Sequence, residues 1–296
     1  MRHLLSHKHR LVILKPKIEG LPDNHSSKPE CLFELSRLLD LVGNQAESKR
    51  LLTCVLKLER ERGNDHQVAR TLKHLAEASY YVNPPGQGIQ LVKEALGIGE
   101  RLGDRVIQAQ CLVVLAWLLD RNNRVDAAEE AAFRTIDLFP EKGEEYRVCQ
   151  SHRILGEIYR HKGEKEKAIH HFEVALGIAS PFDWHMEPFW IHYRLARLFY
   201  CEGRFDEAQT HVAHPKSYTV NSALNLGYAM EVQACVWYRQ QKLEEARSEF
   251  LRAVDVYEKF GVAEGVKDCR RYLQDIENEL DTEVASDRSN FDCELL

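Results

Sequence analysis

The sequence predicts an all-α fold in which pairs of helices repeat along the chain, and three sets of residues at constant spacing predict it. The first set consists of small residues 40 apart, with a last interval of 38: Ser36, Ala76, Ala116, Gly156, Ala196 and Ala234. The second set lies seven residues after the first: Gly43, Asn83, Asn123, Gly163, Gly203 and Gln241. The third set lies twelve residues after the first: Ser48, Gly88, Ala128, Ala168, Ala208 and Ala246. Because internal repeats of this length are typical of solenoids, we predict a right-handed α-solenoid of six helix pairs with a C-terminal capping helix.

The fourth repeat shows the pattern of a helix pair most clearly. Its first helix carries residues three and four apart, which is the spacing of one helix face: His152, Leu155, Gly156 and Tyr159. A short turn follows at Gly163, since glycine adopts positive φ without steric cost. The second helix repeats the helical spacing with Ala168, Phe172, Ala175 and Leu176. Neither the period-two alternation of strands nor a heptad pattern through the turns is present in the sequence.

These signals divide the chain into three parts. Residues 1–29 are predicted to be a basic, partly disordered leader, and the absence of acids from its first eighteen residues also fits a targeting segment. Residues 30–280 hold the solenoid, with repeats at about 30–63, 66–103, 105–143, 145–181, 186–216 and 221–261 and the capping helix at 264–280. Residues 281–296 are rich in Asp and Glu and are predicted to be a disordered acidic tail.

Composition narrows the class of protein. Hydrophobic residues make up 44% of the 296 residues, which is enough to build a core. The net charge of −6 disfavours nucleic acid as the main partner, because phosphates require a basic face. The longest apolar run, from Cys111 to Leu119, is too short to cross a membrane. Eight cysteines without CxxC spacing indicate thiols in a reducing compartment, so we predict a cytoplasmic protein.

Motifs for metals, cofactors and catalysis are weak. Fourteen histidines are present, but none forms an HExxH motif, and His211 and His214 have helical spacing without an evident third ligand. No GxxxxGK[ST] phosphate loop occurs in the sequence, and nothing resembles a nucleophile elbow. We therefore predict no metal, no cofactor and no enzymatic activity.

The repeats resemble the tetratricopeptide repeat (TPR). The family pattern has a small residue late in the first helix and two alanines that flank a large apolar residue in the second. It is matched in repeat four by Gly156, Tyr159, Ala168, Phe172 and Ala175, and in repeat six by Ala234, Trp237, Ala246, Phe250 and Ala253. Repeat three adds Pro140 at the closing position. The period of 40 exceeds the usual 34, and such long-period arrays resemble those of kinesin light chains and of fungal signalling proteins with NACHT or NB-ARC modules.

Two repeats depart from this pattern. Pro215 lies within the second helix of repeat five, where proline removes a hydrogen bond and costs about 3 kcal/mol, so we expect that helix to end or kink near Ala213 or His214. The turn of repeat two contains Asn83, Pro84, Pro85 and Gly86.

The resemblance implies that a partner binds on the concave face, which the first helix of each pair lines. The positions it selects are Tyr80, Trp117, Arg153, Glu157, Arg160, Trp190, Tyr193, Arg197, Tyr200, Tyr228 and Tyr238. Tyr, Trp and Arg dominate binding hot spots, so we predict a groove for an extended or helical peptide. Arg153, Arg160 and Arg197 would meet a carboxylate of that peptide. The alternative is that some of the aromatic rings are buried between adjacent repeats.

The predicted function is a non-enzymatic protein-interaction scaffold. An alternative is the ligand-sensing part of a nucleotide-driven switch of the STAND or NLR kind. RNA binding by helical repeats is a third possibility, which the acidic balance counts against.

Overall fold

A computed structural model describes residues 10–16, 18, 20–22, 25–41, 44–79, 85–139, 144–184, 186–218 and 223–293, and their regular secondary structure is helical throughout. Residues 10–16 form α1. The other helices are α2 (Lys28–Leu41), α3 (Gln45–Arg62), α4 (Asp65–Ala78), α5 (Pro85–Leu102), α6 (Arg105–Arg121), α7 (Val125–Asp137), α8 (Glu145–His161), α9 (Lys165–Ala179), α10 (Met186–Cys201), α11 (Phe205–Tyr218), α12 (Ala223–Arg239), α13 (Leu243–Phe260) and α14 (Ala263–Cys293).

The chain divides into two compact units, and each is described by itself. Unit 1 comprises residues 1–181 and unit 2 comprises residues 182–296. Four helix pairs, from α2–α3 to α8–α9, lie in unit 1, and two pairs, α10–α11 and α12–α13, lie in unit 2 before α14. Within a unit, helices pack mainly against the next helix and the next but one, as α4 and α8 do against α6. Both units are therefore stacks of helix pairs, as the repeat predicts.

The first and third residue sets are buried in every repeat. Ser36, Ala76, Ala116 and Ala196 are fully buried, and Gly156 lies so close to Phe172 that a Cβ on it would be 2.6 Å from the ring. A side chain of normal size at these positions would separate the two helices of a pair. The small residues are therefore the contact points of the repeat, as predicted.

The second residue set marks the turns. Asn123, Gly163, Gly203 and Gln241 all have positive φ, between 55° and 77°. The helix-end glycines Gly63, Gly103 and Gly261 also have positive φ, between 65° and 70°. A residue in this left-handed conformation lets the chain leave one helix and enter the next. Gly43, Asn83 and Pro140, which the sequence assigned to turns and to the end of a repeat, lie outside the described residues.

Two glycines of repeat four allow a matched test of this role. We expect Gly163→Ala to destabilise the protein by about 1 kcal/mol, because its φ of 77° is strained for alanine. Gly177 lies inside α9 with open space around it, so Gly177→Ala should stabilise the protein by about 0.5–1 kcal/mol. Urea unfolding followed by circular dichroism measures both changes. Equal effects of the same sign would contradict the assigned backbone roles.

Two boundaries differ from the sequence prediction. The helix α11 extends through Pro215 to Tyr218, so it does not end near Ala213 or His214, which was one of the two expected outcomes. Pro215 lies in the last turn, where it interrupts only the end of the hydrogen-bond ladder. The helix α14 continues beyond residue 280 to Cys293, through most of the stretch that was expected to be a disordered tail. Its first part buries Cys269 and Ile276 against α12 and α13.

Candidate functional site

The residues selected from the sequence fall into two groups. Trp117, Arg153, Glu157 and Arg160 lie on α6 and α8 of unit 1. Trp190, Tyr193, Arg197 and Tyr200 lie on α10, and Tyr228 and Tyr238 lie on α12, all in unit 2. Tyr80 lies outside the described residues.

In unit 1 the charged residues of α8 are engaged within the protein. The Arg153 guanidinium lies 5.3 Å from the ring centre of Trp117, and the Arg153 side chain is 7% exposed. Arg160 donates from Nε and Nη2 to Glu157 Oε2 at 3.2 and 3.0 Å. Glu157 therefore offsets the charge of Arg160, and burial leaves little of Arg153 for a partner's carboxylate to reach.

A half-buried polar cluster lies on α4. Glu77 forms an ion pair with Lys73 at 3.3 Å and accepts a hydrogen bond from His74 Nδ1 at 2.7 Å. Burial by itself would raise the pKa of Glu77, but the hydrogen bond to His74 and the charge of Lys73 outweigh it and lower the pKa to about 2. Burial also lowers the pKa of His74, against the effect of Glu77. This cluster holds its charges by internal pairing.

In unit 2 four aromatic side chains form a continuous group, which we call the aromatic cluster: Trp190, Tyr193, Tyr228 and Tyr257. The ring centres of Trp190, Tyr193 and Tyr228 are 5.7–5.9 Å apart, and Tyr228 lies 5.6 Å from Tyr257. These are the distances of tilted and edge-to-face aromatic contacts. Tyr257 and Tyr193 are buried, whereas Trp190 and Tyr228 are half-buried. The inner rings are therefore part of the core, and the outer two keep surface that faces solvent.

Charged groups surround the aromatic cluster. Arg197 is exposed, and its Nη1 donates to the Tyr193 hydroxyl at 3.2 Å. The guanidiniums of Arg194 and Arg197 lie 5.5 and 5.6 Å from the Tyr193 ring centre. On the buried side the Tyr257 hydroxyl donates to Glu231. Burial raises the pKa of Glu231, although the Tyr257 hydrogen bond and Arg197 act in the opposite direction.

The remaining predicted residues of unit 2 contact the capping helix. The Tyr238 hydroxyl donates to Glu279 of α14 at 2.6 Å, and the ring meets that of Tyr272 edge to face at 5.6 Å. Tyr200 is half-buried, and burial raises its pKa well above the ordinary value for a phenol. The contacts of Tyr238 thus attach α14 to the last helix pair.

The sequence analysis did not predict Tyr257 as a member of the site, and it did not predict the contact between Tyr257 and Glu231. A signal for Tyr257 was present in two glycines within helices, Gly227 and Gly265. A Cβ would lie 3.1 Å from the Tyr257 ring at Gly227 and 2.6 Å from it at Gly265. Glycine is unfavourable inside a helix, so such positions indicate a large side chain packed against the backbone.

The described residues hold no group of three or more His, Cys, Asp or Glu side chains arranged to bind a metal ion. Among the same residues, none of the helices has the length and apolarity to span a bilayer.

No family model matches the sequence, and no curated protein matches it. Solved structures do match. A Rap protein complexed with Competence and Sporulation Factor has a TM-score of 0.67 at 14% identity, over 94% of this chain and 86% of the other. A Signal Transduction ATPase with Numerous Domains (STAND) protein with a tetratricopeptide repeat sensor, from Pyrococcus horikoshii, has a TM-score of 0.61 at 14% identity, over 88% and 44%.

A third match is Cut9–Hcn1 of the APC/C, with a TM-score of 0.64 at 15% identity, over 90% of this chain and 48% of the other. Identities this low carry the fold and not the function. Together with the buried small residues and the left-handed turns, these matches show that the chain has the all-α fold of tetratricopeptide-repeat proteins.

Proposed function

We propose that the chain is a non-enzymatic protein-interaction module that binds a peptide segment of its partner on the first helices of its repeats. The observation that carries the proposal is the aromatic cluster of unit 2 with exposed Arg197 at its edge. Several of the predicted residues pack into the core, so we place the strongest contacts at Trp190, Tyr228 and Arg197. The other predicted positions stay predictions of partner contacts.

The half-buried rings suit peptide binding for an energetic reason. Trp190 and Tyr228 are fixed by their neighbours, so little conformational entropy remains for a partner to remove. Each offers a large apolar surface that a peptide side chain can cover. Rigid aromatic residues with partly exposed faces are typical hot spots of protein interfaces.

Arg197 indicates the chemistry of the partner. A guanidinium carries five N–H donors in a plane, and the bond to Tyr193 uses only one of them while it restricts the side chain. Arg194 on the same helix adds a second positive charge beside Tyr193. A carboxylate, from an acidic side chain or a free C-terminus next to an apolar residue, would satisfy both features.

The contacts of unit 2 permit a sharper experiment than replacement of the whole predicted groove. Tyr193 is only 6% exposed, so its removal would damage the fold, and we choose Arg197→Leu and Trp190→Leu instead. Peptides selected on the wild-type chain from a random library with free C-termini would be labelled for fluorescence anisotropy. For a peptide with the carboxylate, we expect Arg197→Leu to weaken binding by roughly 10- to 100-fold, the loss of a charge-assisted hydrogen bond.

Arg247→Leu is the matched control, because Arg247 is an exposed arginine of unit 2 on the second helix α13. A peptide whose carboxylate is replaced by an amide should bind Arg197→Leu and wild type alike, which completes a double-mutant cycle. Equal affinity of the Arg197 and Arg247 variants for the acidic peptide would refute the site. Failure of the library to yield any peptide would refute peptide binding itself.

A second function is favoured by one comparison. The match to a STAND protein with a tetratricopeptide repeat sensor covers 44% of that protein, so an equivalent array can form part of a larger switch. In that case the array would restrain a nucleotide-binding module until a ligand binds. An immunoblot of the native gene product tests this alternative. A single species near 34.3 kDa would exclude it, and a much larger species that binds ATP would favour it.

A further inference from the structure

The same pair of histidines occurs in two consecutive repeats. His152 of α8 lies with its Nδ1 3.0 Å from Nδ1 of His171 on α9. His192 of α10 and His211 of α11 stand 40 residues later and have the same arrangement, with 2.9 Å between the nitrogens. The ring centres are 5.2 Å apart in both pairs. Each pair joins the two helices of its own repeat.

The protonation of such a pair is constrained by its geometry. Two nitrogens at hydrogen-bond distance need one proton between them, so one imidazole donates and the other accepts. A first additional proton leaves this bond in place but puts a charge at a site that is at least half-buried. A second additional proton removes the acceptor and sets two donors against each other. Burial therefore favours the neutral pair, and the hydrogen bond itself is lost when both rings carry the extra proton.

The surroundings of the first pair do not supply a strong counter-charge. The ring of Tyr159 is stacked on His171 at 5.2 Å, and His170 meets His171 edge to face at 5.5 Å. Glu129 of α7 raises the pKa of His171, but burial, His170 and Lys167 together outweigh it and lower that pKa. Burial first, and then the charges of His171 and His170, lowers the pKa of His152 to about 4.

The second pair has a third histidine beside it. The His214 ring is stacked on His192 with centres 4.4 Å apart, and Phe199 is stacked on His211. Burial first, and then His214 and His211, lowers the pKa of His192 to about 3. Burial and His214 also lower the pKa of His211 against the effect of Glu207, which itself pairs with Arg204.

The lowered pKa values of these histidines determine how the stability of the protein changes with pH. Above the ordinary histidine pKa of 6.5, folded and unfolded chains bind the same number of protons at these sites. As the pH falls below 6.5, the unfolded chain binds protons at these histidines that the folded pairs do not bind. The free energy of unfolding therefore decreases. The loss continues until the pH reaches the folded pKa values of about 4 and 3.

We propose that the two histidine pairs are acid-sensitive latches that hold α8 to α9 and α10 to α11 at neutral pH and release them on mild acidification. A metal clip is the competing explanation, since the nitrogen spacing also suits two ligands of one ion. The parallel stack of His214 on His192, at 10° between the rings, does not direct the nitrogens of His214 and His192 toward one point. The geometry points to shared protons.

The test uses the full chain and two readouts between pH 4.5 and 8. Long-range proton–nitrogen spectra of the histidine rings follow the titration and tautomer of each histidine. Hydrogen exchange by mass spectrometry, corrected for the intrinsic rate, follows the protection of α9 and α11. We expect His152 and His192 to stay neutral through pH 5.5, and protection of both helices to fall by up to tenfold per pH unit below 6.5.

Variants distinguish the pH effect of the two histidine pairs from the effects of other titratable groups. His152→Gln with His192→Gln should flatten the pH dependence of α9 and α11, because glutamine keeps a hydrogen-bonding group without a charge. His66→Gln is the control, since His66 is an exposed histidine on α4, outside the measured helices. Burial lowers the pKa of His74 as well, and its effect would appear in α4 and not in the measured helices.

Three outcomes would overturn the proposal. The first is titration of His152 and His192 near 6.5 in the wild-type chain, which decides the matter even if the double variant does not fold. The second is an unchanged pH dependence of protection in a folded double variant. The third is a Zn²⁺-induced rise in melting temperature that the double variant lacks, which would assign the pairs to a metal.

Discussion

We expect Phe172→Ala to destabilise unit 1 by about 3–5 kcal/mol, the usual cost of deleting a buried ring. Phe172 is fully buried, and it lies against the backbone of Gly156 on the facing helix α8. No neighbouring Cβ exists at Gly156 to fill the space that the ring would leave. The cavity should persist, so the cost belongs at the upper end of the range.

Urea unfolding measures the loss, and hydrogen exchange locates it. Protection should fall most in α8 and α9, because repeat proteins depend on contacts between neighbouring helices. Phe133→Ala is the control, since that phenylalanine of α7 is 39% exposed. A loss for Phe172→Ala no greater than for Phe133→Ala would contradict the role of Gly156 and Phe172 as a fitted pair.

The second large effect is expected at Tyr257 in unit 2. Its side chain is fully buried, touches Tyr228, and lies over Gly227 of α12 and Gly265 of α14. Tyr257→Ala should cost about 3–5 kcal/mol and loosen α14 from the last helix pair. Tyr257→Phe keeps the ring and removes only the hydroxyl that donates to Glu231. We expect this change to destabilise the protein by about 1–3 kcal/mol at neutral pH.

The pH dependence of Tyr257→Phe isolates the hydrogen bond. The pKa of Glu231 is raised by burial, so the folded chain holds a proton that the unfolded chain releases, and stability falls as the pH rises above 4.5. The Tyr257 hydroxyl limits that rise. Without the hydroxyl, the pKa of Glu231 should rise further, so stability should continue to fall up to a higher pH. The difference in the free energy of unfolding between Tyr257→Phe and wild type should therefore be larger at pH 8 than at pH 5. Urea midpoints at the two pH values decide this, and a difference independent of pH would show that Glu231 is not involved.

The sequence predicted the repeat architecture because its determinants are local. A small residue every 40 positions and a left-handed turn seven residues later are properties of one helix pair, and both are confirmed from Ser36 to Gln241 wherever those positions are described. At Pro215 the expected end of the helix is wrong, because a helix can tolerate proline in its last turn when the penalty is confined there.

The sequence predicted less of the candidate site than of the fold. Offsets along α10 placed Trp190, Tyr193 and Arg197 on one predicted face, but they could not show that Tyr193 is buried under its neighbours. The contacts of Tyr257 with Glu231 and of His152 with His171 join different helices. Such pairs depend on how one helix rotates against another, which a periodic pattern in a single helix does not fix.

The neighbour-to-neighbour packing of the helices also determines how the chain can fold during synthesis. Within a unit, the main partners of a helix are the next helix and the next but one, so most contacts join residues that are close in sequence. Folds with such low contact order form rapidly. Because translation adds only about 5–20 residues per second, the first helix pairs can fold while the last are still unmade. Within a unit, each new pair can dock on the pair made before it, so the apolar faces of that unit are not all exposed together.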